Sequence, residues 1–367
     1  MKILIVAGRF FPFNSPRAFR TTELAKRFCL LGHDVTVYNV EEDYDYTDFQ
    51  SNYPIKICRY HYVKGRKKFI GISLIDRVIY RILNQFFTYP DRWNIKPLIK
   101  SLKNEKGYDL LISIAMPHYV HWAIGKLYKK GIILAKCWVA DCGDPFMLTQ
   151  TNSFQPPFYV KPLETRWCRL CNYISVPTRE SIGGYYPEFK DKIRIIPQGF
   201  DFSEIRRKDY KSHSIPTFAY SGSFIPGKRD LRPILDLLIK QNTDFELHVY
   251  TRQKDMFTFY QEKLGKKLQL HDYIPRLELL ETLSGMDFLL NLDNGITVQT
   301  PSKLIDYALT GRPILSLNSS DIDKDLLFAF MKGDYAGQYT VENVDQYNIV
   351  NVAQQFLDLY DQTATTK

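Results

Sequence analysis

Three loops of this chain carry residue types spaced to hold an anion or a polyol. The first, residues 222–229 (GSFIPGKR), follows an apolar run and sets Gly222 and Ser223 ahead of a Lys228–Arg229 pair. Glycine lets backbone approach a ligand closely, and two cations at the start of a predicted helix add their charge to its exposed amides. No GK[ST] follows the GxxxxG, so this is not a Walker A loop; a solvated turn with incidental charges is the plainer alternative. The second, residues 300–315 (TPSKLIDYALTGRPIL), predicts a helix capped at Thr300 or Ser302, around Pro301, with Lys303 in its first turn. Asp306 lies one turn further, where a carboxylate can accept two hydrogen bonds from a ribose diol. Gly311 and Pro313 close the helix and open the next strand, and a merely capped helix would look the same. The third loop, residues 8–16 (GRFFPFNSP), lacks the GxGxxG dinucleotide fingerprint and reads as a turn or as a ligand loop presenting Arg9, Phe10 and Asn14.

Other polar residues stand at predicted strand ends. His118 follows a strand and is either a local cap or functional. Asp141 and Asp144, in WVADCGDP, either contact hydroxyls or stabilise the turn before Pro145. Asp321 and Asp323 fit an Asp-x-Asp pattern, but their charged surroundings read as a helix start. Six cysteines are too few for a disulfide framework in a chain of 367 residues. Cys168 and Cys171, spaced i and i+3, read as the buried face of a helix rather than as half of a zinc site with Cys137 and Cys142.

These residues need a scaffold, and the apolar runs describe one. Strand-like runs fall at 2–7, 34–40, 55–60, 110–115, 136–140, 173–177 and 193–197, then at 217–221, 245–250, 268–273, 287–292 and 313–317. Amphipathic stretches such as 17–31, 230–241, 277–284 and 302–309 lie between them. The alternation reads as α/β with parallel sheets. A charged, apolar-poor stretch at 197–214 predicts the hinge between an N-terminal domain, 1–198, and a C-terminal domain, 199–349. The segment 350–367 is expected to pack back on the first domain. In such sheets ligands bind beyond the carboxyl ends of the strands, which is where the three loops fall. With 45% hydrophobic and 24% charged residues, intrinsic disorder is excluded for most of the length. No apolar run approaches the ~18 residues that span a bilayer, and the first ten residues lack the pattern of a signal peptide. A cytoplasmic protein is expected.

Charge is unevenly spread. Lysine and arginine outnumber acidic residues 30 to 17 over residues 1–198, whereas over 199–367 they number 19 against 23. Residues 51–100 hold 11 basic and 2 acidic residues. A polyanionic partner for the first half follows. Residues 64–87 join a basic cluster to apolar positions 75, 78, 79, 82, 83 and 86, a one-sided helical spacing. That face either packs on the first domain or lies on an anionic lipid surface. Nucleic acid is not expected, since no nucleic-acid module is recognisable.

The order GRFFPFNSPRAFRTTELAKRFCLLGHDVTVYNV, PHYVHW, WVADCGDP, IPQGFD, YSGSFIPGKRD and TPSKLIDYALTGRPIL resembles the GT-B glycosyltransferases of family 4 over nearly the whole chain. The resemblance implies two facing Rossmann-like domains with an interdomain cleft, and a retaining enzyme that uses a nucleotide-diphosphate sugar. It implies that Lys228 and Arg229 neutralise the donor diphosphate, and that Asp306 stands where the family has the second Glu of its E-x7-E motif. The first Glu falls at Val298, which cannot hydrogen-bond a donor sugar. His118 matches a histidine facing the sugar and the nascent bond. Gly222, Ser223, Tyr273, Ile274, Thr300, Pro301, Ser302 and Lys303 would complete the donor site, with Tyr273 beside the base. Arg9, Phe10, Asn14, Arg17 and Asp144 would meet the acceptor, and Asp141 would serve as base in an inverting enzyme. Cations and amides would take the place of a metal at the leaving group, so no cofactor is expected. A lipid-linked glycan acceptor at the inner membrane face, in bacterial surface polysaccharide synthesis, is the leading expectation. A nucleotide-sugar 2-epimerase and a non-catalytic nucleotide-sugar-binding subunit, the latter favoured by Val298, are the alternatives.

Overall fold

Every strand run marked out by the sequence is a strand in the computed structural model, which describes residues 1–13, 15–40, 43–65, 68–148, 155–241, 243–293 and 302–365. The chain forms two units, residues 1–200 with 346–367 and residues 201–345. In unit one the strands are β1 (Lys2–Ala7), β2 (Asp34–Val40), β3 (Lys56–Tyr60), β4 (Tyr108–Ile114), β5 (Ala135–Asp141), β6 (Tyr173–Val176) and β7 (Ile193–Ile195). They pair in parallel in the order β3-β2-β1-β4-β5-β6-β7. The helices are α1 (Pro16–Leu30), α2 (Thr47–Asn52), α3 (Ser73–Phe87), α4 (Asp91–Leu102), α5 (Tyr119–Lys129), α6 (Lys161–Leu170) and, after the chain returns, α12 (Ile349–Thr365). Unit two holds β8 (Thr217–Ser221), β9 (Glu246–Tyr250), β10 (Leu268–His271), β11 (Phe288–Asp293) and β12 (Ile314–Asn318), parallel in the order β10-β9-β8-β11-β12. Its helices are α7 (Arg232–Lys240), α8 (Thr258–Leu264), α9 (Arg276–Leu283), α10 (Ser302–Thr310) and α11 (Lys324–Met331).

The strands read as unbroken apolar runs because both faces of each sheet are covered. Along β1, Leu4 and Val6 enter one core with Trp122 and Trp138, while Ile3 and Ile5 enter another with Leu24 and Phe28 of α1 and Val352 and Phe356 of α12. The sheet therefore needs α12 to close its second face. The two segments that cross between units run side by side: Phe200 donates to the Tyr347 carbonyl and Ile349 to that of Phe200, each at 2.8 Å. Local signals set the helix ends. Ser15 caps α1, accepting from the Ala18 amide at 3.3 Å ahead of Pro16. Asp323 caps α11 through the Leu326 amide at 2.9 Å, so the Asp-x-Asp pattern is a helix start. Cys168 and Cys171 are buried at the end of α6 and just beyond it.

One apolar face departs from the interior packing that the sequence also allows. The only buried residue of α3 is Asp76, which accepts from the amides of Phe69, Ile70 and Gly71 and so folds the preceding loop over the start of the helix. Its apolar residues face outward, with Leu74 67%, Val78 50%, Ile82 48% and Phe86 48% exposed. The 3.6-residue period shows that a helix has an apolar stripe, but not which side of the stripe the protein covers.

Candidate functional site

In a doubly wound sheet, the loops after the two strands that flank a change of winding direction diverge and leave room for a ligand. In unit two that point lies between β8 and β11, where residues 222–229 and helix α10 begin. Gly222 leaves β8 with φ 137°, a conformation that favours glycine. A Cβ added there would come 4.0 Å from Lys303 Nζ. Tyr307 docks α10 at this end of the sheet, its hydroxyl accepting from the Ser221 amide at 2.8 Å and donating to the Leu290 carbonyl at 3.3 Å. The same helix presents Lys303, whose ammonium lies 3.8 Å from the Tyr220 ring centre and 5.1 Å from that of Tyr307. Burial holds the Lys303 pKa well below its ordinary value, and the neighbouring Arg229 charge lowers it further. No carboxylate among the described residues pairs with Lys303. The arrangement gathers positive charge at a glycine-lined strand end, and an incoming anion would relieve it.

The Lys228–Arg229 pair does not open a helix, as its spacing suggested. Both amides donate back to the Ile225 carbonyl, at 3.0 and 2.9 Å, in a tight turn, and α7 begins only at Arg232. Asp230 and Ser319 staple that turn: Asp230 accepts from the Gly227 amide at 3.3 Å, and the Ser319 hydroxyl donates to the Lys228 carbonyl at 2.6 Å. The pair therefore offers side-chain charge and not helix amides, with Lys228 exposed and Arg229 half-buried. Ser223 is exposed, and its carbonyl accepts from the Tyr220 hydroxyl at 3.2 Å.

Asp306, one turn after Lys303, is held by a residue that sequence reasoning missed. Arg276, the first residue of α9, donates Nε and Nη2 to Asp306 Oδ1 at 2.9 and 2.5 Å. Burial raises the Asp306 pKa and Arg276 opposes it. Tyr273 and Ile274 lie just before Arg276, with the Tyr273 ring half-exposed and 4.6 Å from the Arg252 guanidinium. Thr300, Pro301, Val298 and the side chain of Ser302 lie outside the described residues.

In unit one the winding changes between β1 and β4. The ends of β1, β4 and β5 bring Arg17, His118, Asp141 and Asp144 together. Asp141, a candidate base, is an anchor instead. It is 1% exposed and takes Arg20 Nε and Nη2 at 2.8 and 2.7 Å, Arg17 Nη1 at 3.3 Å and the Ser175 hydroxyl at 2.7 Å. Burial alone would raise its pKa, but Arg20 and Arg17 hold it below the usual carboxylate range. Arg20 also donates Nη1 and Nη2 to the carbonyls of Pro197 and Ile196, at 2.5 and 3.1 Å. The i, i+3 spacing of Arg17 and Arg20 on α1 was the one sequence signal for this network.

Among the buried polar atoms of unit one without a hydrogen-bond partner are Arg17 Nη2 and His118 Nδ1. Such groups are costly unless a ligand or water meets them. The Arg17 guanidinium lies over the Gly143 backbone, where an added Cβ would fall 2.4 Å from Nη2. His118 sits at the N-cap of α5 but makes no side-chain cap bond, so capping does not explain it. Burial lowers its pKa to about 4, and the Arg17 charge adds to this, so the ring is neutral near pH 7. Asp144 is exposed beside Arg17. Arg9 lies 4.3 Å from the Phe13 ring. Phe10 is a correction: it is fully buried against Phe49 and Tyr46, so its side chain serves the core and cannot touch an acceptor. Asn14 lies outside the described residues.

No family model and no curated protein matches the sequence. Solved structures do match it along its length. A lipopolysaccharide outer core galactosyltransferase, WaaB, is 12% identical with a TM-score of 0.61, covering 99% of each chain. A glycosyltransferase from Rickettsia africae is 10% identical with a TM-score of 0.62, covering 100% of this chain and 99% of that one. HepE from Anabaena, solved with UDP and glucose, is 11% identical with a TM-score of 0.53, covering 100% and 99%. With two parallel-sheet α/β units, the chain has the GT-B fold.

Proposed function

We propose that this protein is a glycosyltransferase that moves a sugar from a nucleotide-diphosphate sugar to a glycan acceptor. The observation that carries the reading is the unit-two strand end, where Lys303 and Arg229 face a glycine-lined turn one helical turn from a carboxylate. A diphosphate matches the charge, and Asp306, fixed through Oδ1 by Arg276, suits a ribose diol. As the sugar leaves, charge grows on the diphosphate, and pre-positioned cations stabilise it without having to reorganise. Lys228, Arg229 and Lys303 supply that charge without a metal. HepE, a neighbour in fold, was solved with UDP. Retention of configuration accords with the commitment of Asp141 to Arg20 and Arg17, which removes the leading candidate for the strong base that inversion needs.

Calorimetric titration with UDP, GDP, TDP and CMP tests the donor half. One nucleotide should bind well above the others, and Asp306→Ala should weaken it by about tenfold or more, the order of a charge-assisted hydrogen bond. Binding of none of the four would overturn the reading.

The acceptor in this proposal is lipid-linked, at the inner face of the membrane, in the synthesis of a surface polysaccharide of capsule or O-antigen type. Support comes from α3, which carries Arg77 and Arg81 among outward apolar side chains and follows the exposed Lys64 and Lys68. Asp76, the one acid on that helix, is buried and turned onto the loop amides. An apolar stripe flanked by cations suits the surface of an anionic bilayer, where each cation contributes ~1 kcal/mol. No helix among the described residues is long and apolar enough to cross a membrane. Vesicles rich in phosphatidylglycerol should carry the protein in flotation, and Val78→Glu with Ile82→Glu should abolish this without lowering the melting temperature. Binding indifferent to salt and to anionic lipid content would exclude the contact.

A further inference from the structure

A second recess in unit one lies between α3, the start of α4 and the loop after β5. It has a volume of about 350 Å³ and is lined by Tyr62, Tyr80, Asn84, Gln85, Asp91 and Phe146, among others. That size suits one small ligand. Its aromatic rings are fixed by neighbours: Tyr62 stacks on Tyr119 at 6.3 Å, Tyr80 stands edge-on to Tyr89 at 6.0 Å, and Phe146 edge-on to Trp122 at 5.0 Å. Asn84 and Gln85 each donate one amide N–H, to the carbonyls of Tyr89 and Gln155, at 2.8 and 2.9 Å. Their amide oxygens accept nothing from the described residues. The Asp91 carboxyl likewise receives no hydrogen bond or cation from the described residues, and burial pushes its pKa up to about 7.

The lining thus offers the Asp91 carboxyl and two amide oxygens as acceptors, with the Tyr62 and Tyr80 hydroxyls able to donate, and it holds no positive charge. A phosphate or carboxylate would be repelled. A neutral ring bearing several hydroxyls would be held, with its O–H groups donating to Asp91, Asn84 and Gln85 and its C–H faces against the aromatic rings. The recess also adjoins the polar half-site. Phe146 lies 5.1 Å from the His118 ring, whose buried Nδ1 has no hydrogen-bond partner. Glu164 fixes this wall, its Oε1 accepting from the amides of Phe146 and Met147 at 3.2 and 3.4 Å. On the other side, Tyr80, Asn84 and Gln85 belong to α3, the helix proposed to lie on the bilayer.

We propose that this recess binds the terminal sugar of the acceptor, a neutral hydroxyl-rich ring held by Asp91, Asn84 and Gln85 beside Tyr62, Tyr80 and Phe146. The proposal rests on the glycosyltransferase reading for the word acceptor; sugar binding at this place is separable from it. Saturation-transfer NMR with the methyl glycosides of glucose, galactose, mannose and N-acetylglucosamine, with UDP titrated into the same samples, tests both. At least one glycoside should receive saturation from the wild type. Asp91→Ala should weaken it about tenfold, the order expected for loss of a charge-assisted hydrogen bond, and leave UDP affinity unchanged. Tyr80→Leu, on an exposed helix, carries the test should Asp91→Ala fail to fold. Absence of saturation for all four glycosides, or full retention in both variants, overturns the proposal. Glycosides ignored while UDP binds would remove the recess and leave the donor reading standing. Glycosides bound while no nucleotide binds would do the reverse.

Discussion

Replacing Lys303 with alanine will lower sugar transfer by about 10²–10³-fold, the loss that follows removal of one pre-organised donor to a developing anion. The loss should fall mainly on kcat, because the ammonium meets more charge in the transition state than in the bound donor. Lys228→Ala should cost less, since that side chain is exposed and its charge is screened by water; if it leaves turnover intact, Lys228 has no part in leaving-group stabilisation. Lys303 also gives the reaction a pH signature. Its pKa in the free protein is held down by burial and by Arg229, and a bound diphosphate favours the charged form and raises it. Binding must therefore take up protons wherever the free amine is partly neutral, and nucleotide affinity must fall as pH rises through that range. Calorimetry in two buffers of different ionisation enthalpy measures the uptake. Lys303→Ala should abolish it, while Arg229→Ala should raise the Lys303 pKa and move the fall in affinity to higher pH. Equal affinity at all pH values in the wild type would show that Lys303 does not meet the diphosphate.

The scaffold was legible in the sequence because parallel strands covered on both faces are continuous apolar runs, and all twelve stand out. The positions of several candidate residues were legible too, since His118 follows β4, Asp141 ends β5, and Gly222 and Arg229 follow β8. Partnership was not legible. Asp141 and Arg20 are 121 residues apart, and Asp306 and Arg276 are 30 apart on different helices; no period or motif links such positions. An aspartate at a strand end has the same sequence context whether it meets a ligand or an arginine, which is why Asp141 read as a base. Phe10 misled for a related reason: a loop aromatic can fold inward or outward, and here Phe49 and Tyr46 receive it. The acceptors of the second recess come from α3, from the start of α4 and from the loop after β5, and only the folded chain assembles them.

Asp141→Ala will destabilise unit one by about 3–5 kcal/mol, because it strands two arginines in the interior. Arg20 is 2% exposed and keeps its bonds to Ile196 and Pro197, but its charge loses the carboxylate that balances it. Arg17 loses its one ion-pair partner among the described residues and already has an orphan Nη2. At ~2–4 °C per kcal/mol for a body of this size, the melting temperature should drop by roughly 10 °C. The four tryptophans, Trp93, Trp122, Trp138 and Trp167, all lie in unit one, so their fluorescence follows its unfolding separately from unit two. The pH dependence distinguishes a paired charge from simple packing. The folded-state pKa of Asp141 is depressed, so its contribution is complete above the unfolded value of ~3.9 and is lost as pH falls through the lower folded value. Asp141→Asn, which keeps the size of the side chain, should therefore be less stable than wild type at pH 7 and should converge on it in acid. A stability difference that stayed constant down to pH 2 would mean that packing around the side chain, and not its charge, holds this corner together. Arg20 bonds both this carboxylate and the segment leading to Phe200, so the charge model also predicts that Asp141→Asn increases amide exchange at Gly199 and Phe200.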